Sequence, residues 1–261
     1  MTIGFGYRAK GIGLSVSLLA LVGCLGPDNE TSTVKAAWDE FRFPVMKAGE
    51  SWTVEESAAA FHGAVATVRI LKDTVVENEE AYVASLTVVV PEFLTGNLDT
   101  VRHFTQSGRI YMRKSDQETV YETATAASDV TFRGDTAATA YRLESETLSK
   151  MTGSAPVTLK PGLAWTVTAL RTRKLVWYFG GNVGGNRDTV TTETRDYKTG
   201  PASQVIVKAG SFPALEIDWK VRESGAATTS WFSEAAKATL RQIDVTDGEA
   251  DTTELASLSL L

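Results

Sequence analysis

Q-V-I-V-K-A-G-S-F-P-A-L-E-I-D-W-K-V, residues 204–221, holds two strand-forming runs around a small turn. Apolar and polar residues alternate on both sides of Ala209-Gly210, the pattern of a half-buried antiparallel hairpin. Leu215, Ile217 and Trp219 share one face at period two. Gly210 suits the turn, because glycine enters positive φ without steric cost.

The same style runs outward in both directions. Towards the C-terminus it predicts strands at Thr228–Ser233, Ala238–Val245 and Thr253–Leu260, with Asp247-Gly248 as a hairpin turn. Towards the N-terminus it predicts Asp188–Asp196, a loop at Gly180–Asn186, and strands at Lys174–Phe179 and Ala164–Arg171. Earlier still come Thr119–Thr123, Gly108–Met112, Tyr82–Val90 (ended by Pro91), Ala64–Leu71 and Ser51–Glu55, with a polar turn at Glu77–Glu80. No window shows a long 3.6-residue apolar period. The best helical candidates are short, at Ser57–His62 and Asp39–Phe43, the latter stopped by Pro44. The chain therefore reads as mainly β with little helix, its antiparallel sheets forming a sandwich or a curled half-barrel.

Lys47-Ala-Gly-Glu-Ser-Trp52-Thr-Val and Lys160-Pro-Gly-Leu-Ala-Trp165-Thr-Val share K-x-G-x-x-W-T-V. Two similar halves split near Ser154 would explain this; a turn-into-strand sequence used twice explains it equally. The division is then 1–23 leader, 24–34 tether, 35–153 first β half and 154–261 second β half.

Arg8 and Lys10 are the only charges before Asp28, and Gly11–Val22 is apolar or small. That is a positive n-region and an h-region of signal-peptide length, too short to span a bilayer, which takes about 20 apolar residues. It ends in Leu21-Val22-Gly23-Cys24, and Cys24 is the only cysteine. These four residues resemble the lipobox of bacterial lipoproteins. The resemblance implies cleavage between Gly23 and Cys24, lipid on the Cys24 thiol, and a membrane anchor in place of any disulfide or thiolate chemistry. Leu25, not Asp, follows the cysteine, which in enterobacterial-type sorting points to the outer rather than the inner membrane. Leu25–Val34 is polar with Gly and Pro, a short tether. Val207–Ile217 and Ser230-Trp-Phe-Ser233, with Gly162–Trp165 upstream, resemble a recurrent uncharacterised bacterial envelope β-domain over about Ser154–Leu261. The chain departs from that pattern at Ala235 and Ala236, where members usually carry glycine. The family implies a β fold and an envelope location, and carries no catalytic residue over.

The 261 residues hold 26 basic and 32 acidic side chains; without Arg8 and Lys10 the balance is 24 against 32, a net of −8. Such a surface argues against nucleic acid, which needs clustered Lys and Arg, and against electrostatic docking on anionic lipid.

Chemistry-bearing motifs are sparse. Gly4–Ala9 fits a dinucleotide fingerprint but no strand precedes it. His62 and His103 have no ligand-like company. There is no G-x-S-x-G elbow and no P-loop. Glu77, Glu79 and Glu80, and the group Asp244, Asp247, Glu249, Asp251 and Glu254, read as solvated turns without the lead-in of a calcium loop. No metal, cofactor or catalytic residue is expected. The contact surface expected from sequence is Trp177, Tyr178, Phe179, Gly180, Gly181 and Asn182, where three aromatics lead into a glycine-rich loop. Three functions compete. The first is a lipid-anchored binding or structural protein with an envelope-protein or glycan partner. The second is a carrier or sensor of a lipid or other apolar ligand in a curled sheet. The third is a hydrolase built on paired carboxylates.

Overall fold

The computed structural model describes residues 40–56, 63–94, 99–246 and 249–261. The leader, Cys24, the tether, Ser57–His62 and Asp247-Gly248 lie outside these residues. Twelve strands follow in chain order: β1 (Ser51–Glu56), β2 (Val65–Val76), β3 (Glu79–Leu94), β4 (Thr100–Arg113), β5 (Thr119–Thr131), β6 (Thr139–Thr152), β7 (Ala164–Phe179), β8 (Asn182–Val207), β9 (Gly210–Val221), β10 (Ala227–Ser233), β11 (Ala238–Thr246) and β12 (Glu249–Ser259). Each pairs antiparallel with its sequence neighbours, and β1 pairs with β12 to close a barrel. Closure corrects the expected sandwich or half-barrel. It depends on registers such as Trp52↔Leu258 and Glu56↔Thr253, between residues some two hundred positions apart, which no local pattern encodes.

Several expected boundaries also change. Glu40–Phe43 is extended rather than helical, and Phe41 exchanges backbone hydrogen bonds with Leu159 (2.9 and 2.7 Å). Pro91 does not end β3, which runs on to Leu94 paired with β4. Pairing with β2 has already stopped at Val89, so the missing proline N–H costs no ladder bond there. Ala164–Arg171 and Lys174–Phe179 are one strand, β7. β6 and the first half of β4 escaped the sequence pattern; β6 alternates little because almost all of its residues are half-buried or exposed on both faces.

Inward-facing residues build two apolar clusters. One includes Trp52, Val68, Ile70, Leu86, Ile110 and Leu255; the other gathers Phe41, Leu159, Val167, Tyr197, Ile217 and Phe232. Ser154 lies in the β6–β7 connection with six strands on each side. The first cluster nevertheless takes Val205, Leu240 and Leu255 from beyond it. The two K-x-G-x-x-W-T-V copies open β1 and β7, with Gly49 and Gly162 at φ 98° and 85°. The outward face of β6 presents Arg142, Glu144 and Glu146, and that of β8–β9 presents Asp196, Lys198, Asp218 and Lys220. A barrel that crosses a membrane shows an apolar band there instead.

On β10 the buried ring is Phe232, fully inaccessible, while its neighbour Trp231 stays half-exposed beneath the Arg241 guanidinium, 5.4 Å from the ring centroid. Phe232→Ala is expected to cost about 3–5 kcal/mol, and Trp231→Ala clearly less. Urea denaturation of the two variants checks the order; equal losses would place both rings in the core.

Candidate functional site

The β7–β8 hairpin turns on Gly180 and Gly181 alone, at φ 53° and 84°. Two positive φ angles define the tight turn that matches strand twist. The expected seven-residue loop is thus a two-residue tip, and Asn182 already belongs to β8. Gly184 and Gly185 serve another purpose. A Cβ on either would stand 2.6–2.8 Å from the Trp177 ring, so their bare backbone is what lets that indole lie across β8. Trp177 and Phe179 face inward, and Phe179 packs on Tyr141 and Phe132 at centroid distances of 5.2 and 6.2 Å. Of the three aromatics expected to make contacts, only Tyr178 faces outward. Arg142 lies 4.0 Å over its ring, and its hydroxyl donates to Glu144 at 3.0 Å.

Tyr178 and Gly181 border an outer groove of about 400 Å³. Ala127 and Ala140 form a low floor between two polar walls, Arg142 with Tyr178 on one side and His103 with Asp129 on the other. A break in the β4–β5 register around His103, at φ 53°, throws that ring outward, as bulges do. Its Nδ1 sits 3.0 Å from Asp129 Oδ2. The groove offers an aromatic, a guanidinium, an imidazole and a carboxylate above a floor too small to fill it. Tyr178 and Gly181 belong to the contact surface expected from sequence, but the strands that bring His103, Asp129 and Arg142 alongside carry no local signal for it.

The acidic groups separate. Glu77, Glu79 and Glu80 each face their own cation: Lys150 (3.4 Å), Arg113 (3.5 Å) and Lys114 (3.8 Å). Asp244 and Asp251 stand opposite each other on β11 and β12, with Thr228 and Gln242 donating to Asp244. Burial, then Asp251 and Asp244, push Glu56 up to about 7. Among the described residues no group of three could hold a metal ion.

Inside the barrel a charged layer adjoins the second apolar cluster, next to Tyr197 and Val167. Glu118, at the end of the β4–β5 turn, accepts from the Tyr197 hydroxyl and from Arg195 (3.1 Å). Arg195 and Arg171 (3.0 Å) both pair with Glu193. Tyr197 stacks on Trp165 at 4.9 Å, nearly parallel, and Arg195 covers Trp219. The turn is held in place by the buried Arg113–Asp116 fork (2.9 and 2.6 Å) and by Asp116 accepting from the Ala155 amide. Burial opposes the charge on Arg195, but Glu118, Tyr197 and Glu193 outweigh it and hold its pKa above the ordinary value. Burial, then Glu118, raises Tyr197.

No protein-family model matches the chain. No curated protein matches it in sequence. Two solved structures are similar in shape. One is a candidate lipoprotein from Parabacteroides distasonis, 10% identical at a TM-score of 0.39, with 84% of this chain and 98% of that one covered. The other is a candidate exported protein with a YmcC-like fold from Bacteroides fragilis, 11% identical at a TM-score of 0.37, with 84% and 99% covered. At such scores and identities neither description transfers to this chain.

Glu56 gives a pH dependence of definite sign. Its folded pKa of about 7 lies above the ordinary 4.5, so the folded state binds the proton more tightly. Its contribution to stability is full at low pH and is lost as pH rises through that window. Glu56→Gln is expected to flatten the decline in stability between about pH 4.5 and 7, read by urea denaturation at several pH values. An unchanged slope would place the carboxyl in water.

Proposed function

We propose that this chain is an exported, lipid-anchored protein of a bacterial cell envelope, held in the outer membrane through Cys24, and that its barrel is a non-catalytic binding module. The observation that carries this reading is Leu21-Val22-Gly23-Cys24 closing an apolar h-region, with the chain's only cysteine in the acceptor position. The charged outward strands support an anchored rather than a spanning barrel. Two or more acyl chains hold a protein stably where one does not. The outer groove supports a hydroxyl-rich glycan segment as ligand, since Tyr178 offers a ring edge while Arg142, His103 and Asp129 offer donors and acceptors. An apolar cargo finds less support, because the barrel interior is occupied by its own side chains.

In a bacterium that processes lipoproteins, the full chain is expected to enter the detergent phase on Triton X-114 partition, with a mass showing Cys24 acylated. Cys24→Ser should stay in the aqueous phase; identical partition of both would remove the anchor. Against immobilised envelope polysaccharides, Tyr178→Ala is expected to weaken retention about tenfold, the loss of one well-placed aromatic contact. Retention of none by the unaltered chain would remove the glycan reading.

A further inference from the structure

The charged layer contains an arginine, Arg173, that makes no ion-pair contact among the described residues. β9 pairs with β8 only from Arg195 to Val207. Beyond that level the Arg222 amide and Glu223 carboxylate cap Thr194, and Asn182–Glu193 pairs with β7 alone. The inward face of this stretch is therefore open along one edge. There the rows Ser149↔Arg171↔Thr191 and Thr147↔Arg173↔Thr189 set two guanidiniums among four hydroxyls. Arg173 and Thr189 are half-buried and Thr191 is exposed, so solvent reaches the crevice.

Arg171 is paired with Glu193, yet its Nε is buried without a hydrogen-bond partner. Arg173 fares worse. Its Nε is likewise buried and unpartnered, and among the described residues its guanidinium joins no ion pair. The carboxylate within its electrostatic reach is Glu122, whose pKa burial raises despite Arg173 and Arg171, which makes it a reluctant counter-ion. Glu118 and Glu193 are already engaged by Arg195, Tyr197 and Arg171. An unpaired, partly buried cation is costly unless something neutralises it, and two adjacent guanidinium forks suit a planar or tetrahedral oxyanion.

We infer that the crevice around Arg173 and Arg171 is a binding site for an oxyanion, the carboxylate or phosphoryl group of an acidic ligand entering past the open edge of β8. It is separate from the outer groove, being on the opposite face of β6 and β7.

The test is calorimetric titration of the intact chain in nonionic detergent with inorganic phosphate and with glucuronate, at ionic strength matched with chloride. Saturable binding of at least one is expected; phosphate alone would mark a phosphoryl ligand and glucuronate alone an acidic sugar. Arg173→Gln should weaken it about tenfold to hundredfold, the loss of charge-assisted hydrogen bonds. Thr189→Val, which keeps the strand's volume, should weaken it by a smaller factor. Arg102→Gln, a surface arginine paired with Glu92, should leave it unchanged. Failure of both anions to bind above chloride, or equal binding by unaltered chain, Arg173→Gln and Thr189→Val, overturns the site.

Discussion

The pairing of β1 with β12 is the constraint from which the remaining structure follows. Six residues of β1 meet Ser259 through Thr253, and with that contact the meander has no free first or last strand. Closure removes the free edges of the first and last strands, which would otherwise invite further pairing. It also divides every strand into an inward and an outward side, so each period-two pattern acquires a fixed meaning. Trp52 and Val54 on β1, Leu258 and Leu255 on β12, and Val68 on β2 then point to one interior.

A closed sheet of twelve strands encloses more space than a single apolar core fills in this chain. The interior holds a charged layer beside its apolar clusters, with Glu118 reaching from the β4–β5 turn to Arg195 and Tyr197 on β8. Breaking a buried pair on one side leaves an uncompensated charge, so these contacts tie the two groups of strands into one unit. The same layer contains what they leave over. Arg171 and Arg173 are held by strand registers in a place where the fold offers them too few acceptors.

Only part of this site chemistry was legible beforehand. Trp177–Asn182 drew attention as aromatics before glycines, and the glycines do matter, but for different reasons: Gly180 and Gly181 make the turn while Gly184 and Gly185 seat Trp177. Tyr178 was visible in the sequence as one of three rings, yet nothing in it distinguishes the outward ring from the two inward ones. That choice comes from the β6–β7 register, which pairs Tyr178 with Arg142 and Phe179 with Tyr141. Arg171-Thr172-Arg173 carries no signal of a site, because Arg-Thr-Arg in a strand reads as solvated surface until the strand is known to line a barrel.

The sequence by itself determined the β character, the hairpin at Ala209-Gly210, most strands after Thr228, and the resemblance of Leu21–Cys24 to a lipobox. These are local properties: period-two alternation, glycine conformational freedom and a short linear motif are all contained within a dozen residues. Only the tertiary structure decided that the meander closes, that Phe232 rather than Trp231 enters the core, that Glu56 meets Asp244 and Asp251, and that the Arg173 Nε is buried without a hydrogen-bond partner. Each of those depends on which residues far apart in the chain share a row of the sheet. That register is set by the summed packing of the closed barrel, and no single segment contains it.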